Sequence, residues 1–442
     1  MSSVLHFTPV TKVLFPIHHT FGPLVTKEQW RSAFRLQFQP WKWREGSERE
    51  ELRRELSQSF ACSAALFGSG RDALLAALRA LELKPGEEVI LQGLTCVVIP
   101  NAIHAAQGVA VYCDIDPQTL NMDVERIQRL ITPRTRAIIC QHTFGIPTDT
   151  VRLRSICSKR GLVLIEDCAH VIPHSSSSDG MGNVTDRASA GSGIGEQGDI
   201  LIFSFGRDKA ISGVTGGAAL SRHPSIAQKL MQMERDARQF SLLSILHHLG
   251  YPLRYSLAKR CWKFGVGKAY LRVSRALGFL PPVLTEAEKQ GKVDIEIHAL
   301  PNALATLALQ QLHFIGSFNT NRHLLANLFR EAAEKEGWSY PRGVDASPAL
   351  QKFPLFAENP TAIRERLKRE QVYLDDGWCG AVVNPPSVPQ DAAGYMAGSC
   401  PAAEDIARHL LTLPLHPTMD EDQVRYLIHA LRSELRPSSQ KT

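Results

Sequence analysis

The sequence predicts an α/β protein, built on a mostly parallel sheet flanked by helices and completed by a smaller C-terminal α+β domain. Three observations carry that expectation. From about residue 70 to about residue 220, apolar runs of strand length alternate with segments of helical period. The runs are apolar without a break, as strands covered on both faces must be. After about residue 320 the alternation stops, and charged amphipathic helices accompany one short strand.

In chain order, residues 1–57 form an expected wrapping segment that ends in the Glu- and Arg-rich "WKWREGSEREELRRELSQSF". The large domain, 58–236, contains the helix "RDALLAALRALEL", whose Leu74, Leu75, Leu78 and Leu81 make one apolar stripe. Its strands are "EVILQG", "VAVYCDI", "AIICQHTF", "LVLIEDC" and "ILIFSF". Between them fall the helices "VERIQRLI" and "VRLRSICSKRG", the second stopped by its glycine. The Gly/Ser-rich stretch 175–198 reads as a mobile surface loop. A basic insert follows over 237–285, with "LLSILHHLGYPL" and "KAYLRVSRALGFL" as short amphipathic helices, and then a connecting helix over 286–320. The small domain, 321–442, holds the helix "RHLLANLFREAAEKEG", the strand "FPLFA" and a final helix opened by a capping box at Thr418 and Glu421.

A chain of 442 residues has room for two or three domains. Its nine cysteines are scattered, without a C-x-x-C pair, which argues against a zinc cage or disulfide framework and for a reducing, cytoplasmic setting. The N-terminus lacks the basic start and clean apolar block of a signal peptide, and no apolar run reaches membrane-spanning length. Net charge is +6, yet 237–285 alone carries Arg238, Arg254, Lys259, Arg260, Lys263, Lys268, Arg272 and Arg275 and no Asp or Glu. The positive excess is therefore local.

Four stretches fall where strands end or helices begin, the places where open α/β sheets bind ligands. "GSGRDALLAAL" (68–78) presents Ser69, Gly70 and Arg71 at a helix opening, whose N–H groups and dipole suit a phosphate; alone, the same pattern reads as a capped turn. "LVLIEDCAH" ends an apolar strand in Glu166 and Asp167, carboxylates that are costly to bury without a partner, with His170 following as a packing or site residue. Ser204 in "FSFGRDK" offers its hydroxyl to a phosphate or to a nearby carbonyl. Lys209 sits in a glycine-bounded turn after a buried strand. The default for a lysine is a solvated face, but this position favours a shielded amine, and burial leaves an amine partly neutral, as a Schiff-base nucleophile requires. A phosphate cradle, a carboxylate for a pyridinium nitrogen and a lysine for an aldehyde together describe pyridoxal phosphate. No metal site is expected.

Several ordered blocks resemble the sugar aminotransferases of the DegT/DnrJ/EryC1/StrS family: "GSGRDALLAALRALELKPGEEVI", "VYCDIDPQTLNMD", "ITPRTRAIICQHTFGIPTD", "GLVLIEDCAH", "GDILIFSFGRDK" and "LTLPLHPTMDEDQV". The resemblance implies a fold-type-I, aspartate-aminotransferase-like pyridoxal-phosphate enzyme. It implies Lys209 as the lysine that condenses with the cofactor, Asp167 as partner of the ring nitrogen, His170 beside the ring, and Ser69, Gly70, Arg71 and Ser204 around the phosphate. It further implies a homodimer with shared active sites, moving an amino group from glutamate to a keto sugar nucleotide for cell-envelope polysaccharide or glycosylated metabolites. Two blocks depart from the pattern. "LTCVVI" puts Cys96 where relatives stack an aromatic ring, and "IEIHALPNALATLALQQL" lacks an Asn-x-Arg pair, with His298 or Asn302 as candidate substitutes. Relatives that carry histidine in place of the lysine are dehydratases, and Lys209 argues against that activity. A related dehydratase, an amino-acid transaminase and a non-catalytic, membrane-associated scaffold stand as alternatives.

The insert carries its own expectation. Basic amphipathic helices edged by Tyr255, Trp262 and Phe264 suit peripheral contact at the inner membrane face. Helical packing on a dimer and contact with a substrate diphosphate are the alternatives. Nucleic acid is not an expected partner, since no recognised motif accompanies the charge.

Overall fold

The computed structural model describes residues 16–18, 24–173, 193–262, 265–292, 295–374 and 377–435. Its spine is a seven-stranded sheet with the order Ser63–Phe67, Gly217–Ser221, Ile200–Ser204, Val163–Asp167, Thr135–Gln141, Glu88–Gln92, Val109–Cys113. From Ile200–Ser204 to Val109–Cys113 every neighbour is parallel, and Gly217–Ser221 runs antiparallel to both of its neighbours. The five parallel strands are the five apolar runs of the sequence. The other two, "SAALF" and "GAALS", were not expected, because short alanine-rich runs fit helix as well as strand. Their small residues have a packing reason. A Cβ on Gly217 would lie 2.6 Å from Gly70 Cα, so only glycine lets this strand pass beneath the start of the helix Gly70–Ala80.

That helix buries Leu74, Leu75 and Leu78, as its stripe predicts, and opens at Ser69, whose Oγ accepts the Asp72 N–H at 3.1 Å. On the N-terminal side, Ile17–His18 pairs with Val372–Tyr373, which ties the start of the chain to its C-terminal part. Asn302, a candidate site residue from the sequence, proves structural. Its Nδ2 donates to Lys42 O and Glu48 Oε2, and its Oδ1 accepts the Arg49 N–H, so it pins the start of the helix Ser47–Phe60.

The C-terminal part pairs Lys352–Phe356 with Leu410–Pro414 and surrounds them with the helices Pro360–Arg369, Pro401–His409 and Glu421–Leu431. The helix Ile315–Glu336 runs unbroken through position 320, where the sequence reading divided a connecting helix from the small domain. The last capping box also differs: it joins Asp420 and Gln423, whereas Thr418 Oγ1 turns to His416 Nδ1 at 2.9 Å. In the insert, the first helix is longer than expected, Leu242–Arg260, and runs through Pro252; the second is Val266–Ala276. Tyr255 and Trp262 do not edge these helices. They are buried against His18, which also stacks on Tyr373 at 4.6 Å. Phe264 lies outside the described residues. Among the described residues no helix is long and apolar enough to cross a membrane.

Of the Gly/Ser-rich stretch 175–198, residues 175–192 lie outside the described residues, and the remainder, 193–198, is pinned rather than mobile. The N–H groups of Gly195 and Gln197 donate to Glu166 at 2.7 and 2.9 Å, and that of Gly198 does so as well. His142 Nε2 adds a contact at 3.0 Å on the same fully buried carboxylate. Burial raises the Glu166 pKa, but His142 and the loop N–H groups outweigh it and hold the group below its ordinary value. A depressed carboxylate pKa gives stability that is present above the unfolded value of about 4.3 and lost as pH falls through the folded value. Glu166→Gln is therefore expected to destabilise the chain by about 3 kcal/mol at neutral pH and to flatten the acid limb of its stability profile, measured by urea unfolding across pH.

Candidate active site

Ile202 lies opposite Asp167 in register, so the strands Val163–Asp167 and Ile200–Ser204 end at the same edge of the sheet. The helix Gly70–Ala80 opens there too. A Cβ on Gly70 would lie 2.8 Å from Ser204 Cβ and 2.9 Å from its Oγ, so the glycine brings the helix start onto the serine hydroxyl. The N–H groups of the first helical turn have no partner within their own helix. This meeting of a helix opening and a hydroxyl forms a cradle of N–H and O–H donors, of the kind that suits an anion.

Side chains alternate along a strand, which separates the two carboxylates. Glu166 faces the pinned loop and Asp167 faces the cradle side. Asp167 is 9% exposed and accepts the Ala169 N–H at 3.0 Å. Burial pushes its pKa up, against the pull of that N–H and of Lys209. The Cys96 thiol is likewise pushed up by burial, in a field shared with Lys209, Arg71 and Asp167. Cys96, Asp167 and Lys209 thus share one electrostatic neighbourhood. His170 Nδ1 accepts the Phe144 N–H at 3.1 Å, which leaves the ring proton on Nε2. Burial, with Lys209, Lys352 and His142 nearby, keeps the ring neutral. It stacks on Phe144 at 5.8 Å between centroids and meets the edge of Trp378 at 5.2 Å.

Lys209 is half-buried in a loop between Ile200–Ser204 and Gly217–Ser221, and that loop is clamped from four directions. Gln351 Nε2 donates to Asp208 O. Arg322 donates to Ala210 O at 2.7 Å, Gln29 Nε2 donates to Ser212 O at 2.7 Å, and Gln311 Oε1 accepts the Ser212 N–H at 2.7 Å. Thr215 Oγ1 donates to Gly68 O at 2.8 Å, which binds the loop to the cradle. Lys209 opens onto a narrow cleft lined also by Arg322, Gln351, Lys352 and His416.

Sequence reasoning missed those four residues. Two carried a signal: Lys352 opens an apolar strand and is buried there, and Arg322 falls on the stripe of Phe318, Leu325 and Phe329 that its helix buries. Conversely, the Arg71 side chain does not line the cleft. It ion-pairs with Glu288 and donates to Val283 O at 3.0 Å, leaving only its backbone at the cradle. His298 sits outside the cleft as well, its ring on Phe240 at 5.2 Å between centroids.

Two substitutions separate the two kinds of buried charge here. Arg322 is 3% exposed, and burial lowers its pKa to about 10, so it remains a cation at neutral pH. Arg322→Met strands Ala210 O and Asn319 Oδ1 and is expected to cost about 3 kcal/mol in urea unfolding. A raised carboxylate pKa has the opposite sign: ionising Asp167 at neutral pH costs stability. Cofactor-free Asp167→Asn is therefore expected to melt at or above the temperature of the parent chain.

A crystal structure of NtdA from Bacillus subtilis, solved with bound cofactor PMP, has the same fold: TM-score 0.70 and 20% identity, over 96% of this chain and 86% of that one. The UDP-N-acetyl-3-dehydro-alpha-D-glucosamine 3-aminotransferase of Acidithiobacillus ferrooxidans is 26% identical over 373 residues, 83% of each chain. The dTDP-4-dehydro-2,3,6-trideoxy-D-glucose 4-aminotransferase of Saccharopolyspora spinosa is 26% identical over 361 residues, 81% of this chain and 80% of its own. A family model matches residues 26–254 and 298–432. The chain belongs to the DegT/DnrJ/EryC1/StrS aminotransferase family.

Proposed function

We propose that this aminotransferase uses pyridoxal phosphate to move an amino group from glutamate to the keto carbon of a nucleotide-linked sugar. The observation that carries the reading is half-buried Lys209 lining a cleft, in the field of Asp167 at the edge where the cradle opens. Bound pyridoxal phosphate supplies an aldehyde for an amine and a ring that accepts electrons from a substrate carbon. In this reading Lys209 Nζ takes the proton from the donor's Cα and returns one to the sugar carbon that gains nitrogen. Asp167 fits the ring nitrogen, because a cationic N–H offsets the cost of its buried charge. Neutral His170, with Phe144 and Trp378, forms an aromatic wall suited to a flat ring, and Cys96 packs near it as a soft, polarisable contact. Ser69, Gly70, Arg71 through its backbone, and Ser204 hold the phosphate. Arg322, Lys352 and His416 give the cleft a cationic side that suits a dicarboxylate donor and a diphosphate-bearing acceptor.

Both curated relatives described above are named for keto sugars carried on a nucleotide, which supports the acceptor class. The glutamate donor, the homodimer and a role in polysaccharide or glycosylated-metabolite synthesis extend from the family resemblance. Borohydride reduction of the protein loaded with pyridoxal phosphate is expected to label one peptide, at Lys209, and Lys209→Ala to take no label. Amino transfer from glutamate to a panel of keto sugar nucleotides is expected with at least one acceptor, and to fall at least about a hundredfold in Lys209→Ala. An unlabelled protein, or a labelled one inert toward every acceptor, overturns the reading.

A further inference from the structure

The family match stops at residue 254 and resumes at 298, so residues 255–297 lie outside it. The helix Val266–Ala276 belongs wholly to this stretch. Its inward side is Gly267, Leu271 and Ser274. At 100° per residue, its outward arc runs from Arg272 through Ala276, Ala269 and Val273 to Val266 and Leu277, all exposed. Val266, Val273 and Leu277 are each more than half exposed. A helix of a water-soluble body normally turns such a stripe inward. Here the apolar stripe points out, with Arg272 at its border and Arg260 and Arg275 close by in sequence, and no carboxylate occurs from 237 to 285.

A second exposed apolar feature adjoins the same bundle. On the helix Lys27–Gln37, Trp30 and Phe34 stack at 5.4 Å, and Phe38 meets Phe34 at 5.2 Å. Trp41 continues the ridge at 71% exposure, and Lys27, Arg31, Arg35 and Lys42 are exposed around it. This helix and Val266–Ala276 both pack on Leu242–Arg260, so the three form one bundle.

From this outward stripe, its cationic border and the neighbouring aromatic ridge we infer that Val266–Ala276 docks the protein on an anionic lipid surface. Aliphatic side chains enter the headgroup boundary, arginines reach the lipid phosphates, and tryptophan and phenylalanine sit at the interface. Charge separates this occupant from a second copy of the chain. A two-fold contact centred on this helix would gather both copies of Arg260, Arg272 and Arg275 with no carboxylate in the segment to answer them.

The test is co-sedimentation of the full chain with vesicles of phosphatidylcholine alone or mixed with phosphatidylglycerol. The inference expects binding to the mixed vesicles only, falling as salt rises. Val273→Asp with Leu277→Asp is expected to weaken that binding at least about tenfold, and Arg260→Glu with Arg272→Glu to do the same, with melting temperature and aminotransfer unchanged. Equal binding to both vesicle types, or none, overturns it. So does a change from dimer to monomer in either variant by sedimentation velocity without loss of vesicle binding, which would mark the face as a self-contact.

Discussion

The loop that carries Lys209 is held by hydrogen bonds that it cannot make within itself. Asp208, Ala210 and Ser212 offer backbone groups that are claimed by Gln351, Arg322, Gln29 and Gln311, side chains from both ends of the chain. Gln29 acts from a position 183 residues before its target, and Arg322 from 112 residues after. Fixing a loop residue costs about 1–2 kcal/mol of backbone entropy, and each neutral hydrogen bond returns about 1 kcal/mol net. A loop held this way is ordered only once the N-terminal helix, the long helix and the small-domain strand have all docked. Completion of the active site is thus tied to completion of the fold. Gln311 shows how tight the closure is, since its amide nitrogen also donates to Leu24 O while its oxygen holds Ser212.

Glu166 and Asp167 show the difference between a charge the protein has satisfied and one it has left for something else. They are consecutive, equally obliged to leave water, and turned to opposite faces by strand geometry. Glu166 has been given His142 and three loop N–H groups, and its pKa falls. Asp167 has been given one N–H and the field of Lys209, and its pKa rises. A buried carboxylate that the fold declines to neutralise is a cost to stability, and such costs persist where a ligand removes them. The contrast points to the cation-binding side of the strand without reference to any relative.

The five parallel strands were readable because continuous apolar runs of Val, Ile and Leu have few alternatives. The alanine-rich edge strands were not, since their small residues answer to the close passage of Gly217 under Gly70, a tertiary constraint invisible to local pattern. Within the site, Lys209, Asp167 and Ser204 were legible as polar residues ending apolar strands. Lys352 and Arg322 broke apolar patterns in the same way, but nothing local showed that their elements fold back over the lysine. Arg71 was placed by its helix position, which describes its N–H group well and its side chain badly. The guanidinium follows Glu288, 217 positions later, and no spacing rule connects the two. Tyr255 and Trp262 failed similarly: on an amphipathic helix they read as edge aromatics, while His18 and Tyr373 from distant strands bury them.

Arg71 and Arg207 explain why the insert belongs to the site's chemistry and not only to the surface. Pro281 O accepts from Arg207 at 2.7 Å, Val283 O accepts from Arg71, and Glu288 completes the Arg71 pair while its carbonyl accepts from Asn101 at 2.8 Å. Arg207 opens the lysine loop and Arg71 opens the cradle helix, so one short stretch of the insert holds both. That stretch begins five residues after the helix Val266–Ala276 ends, too short a tether to let the helix move independently. A shift of the outer helix must be absorbed by these hydrogen bonds or passed to the two arginines. The bonds from Pro281, Val283 and Glu288 come from the stretch 255–297 that the family model does not match. Backbone carbonyls carry most of this link, so it is set by the path of the insert more than by the identity of its side chains.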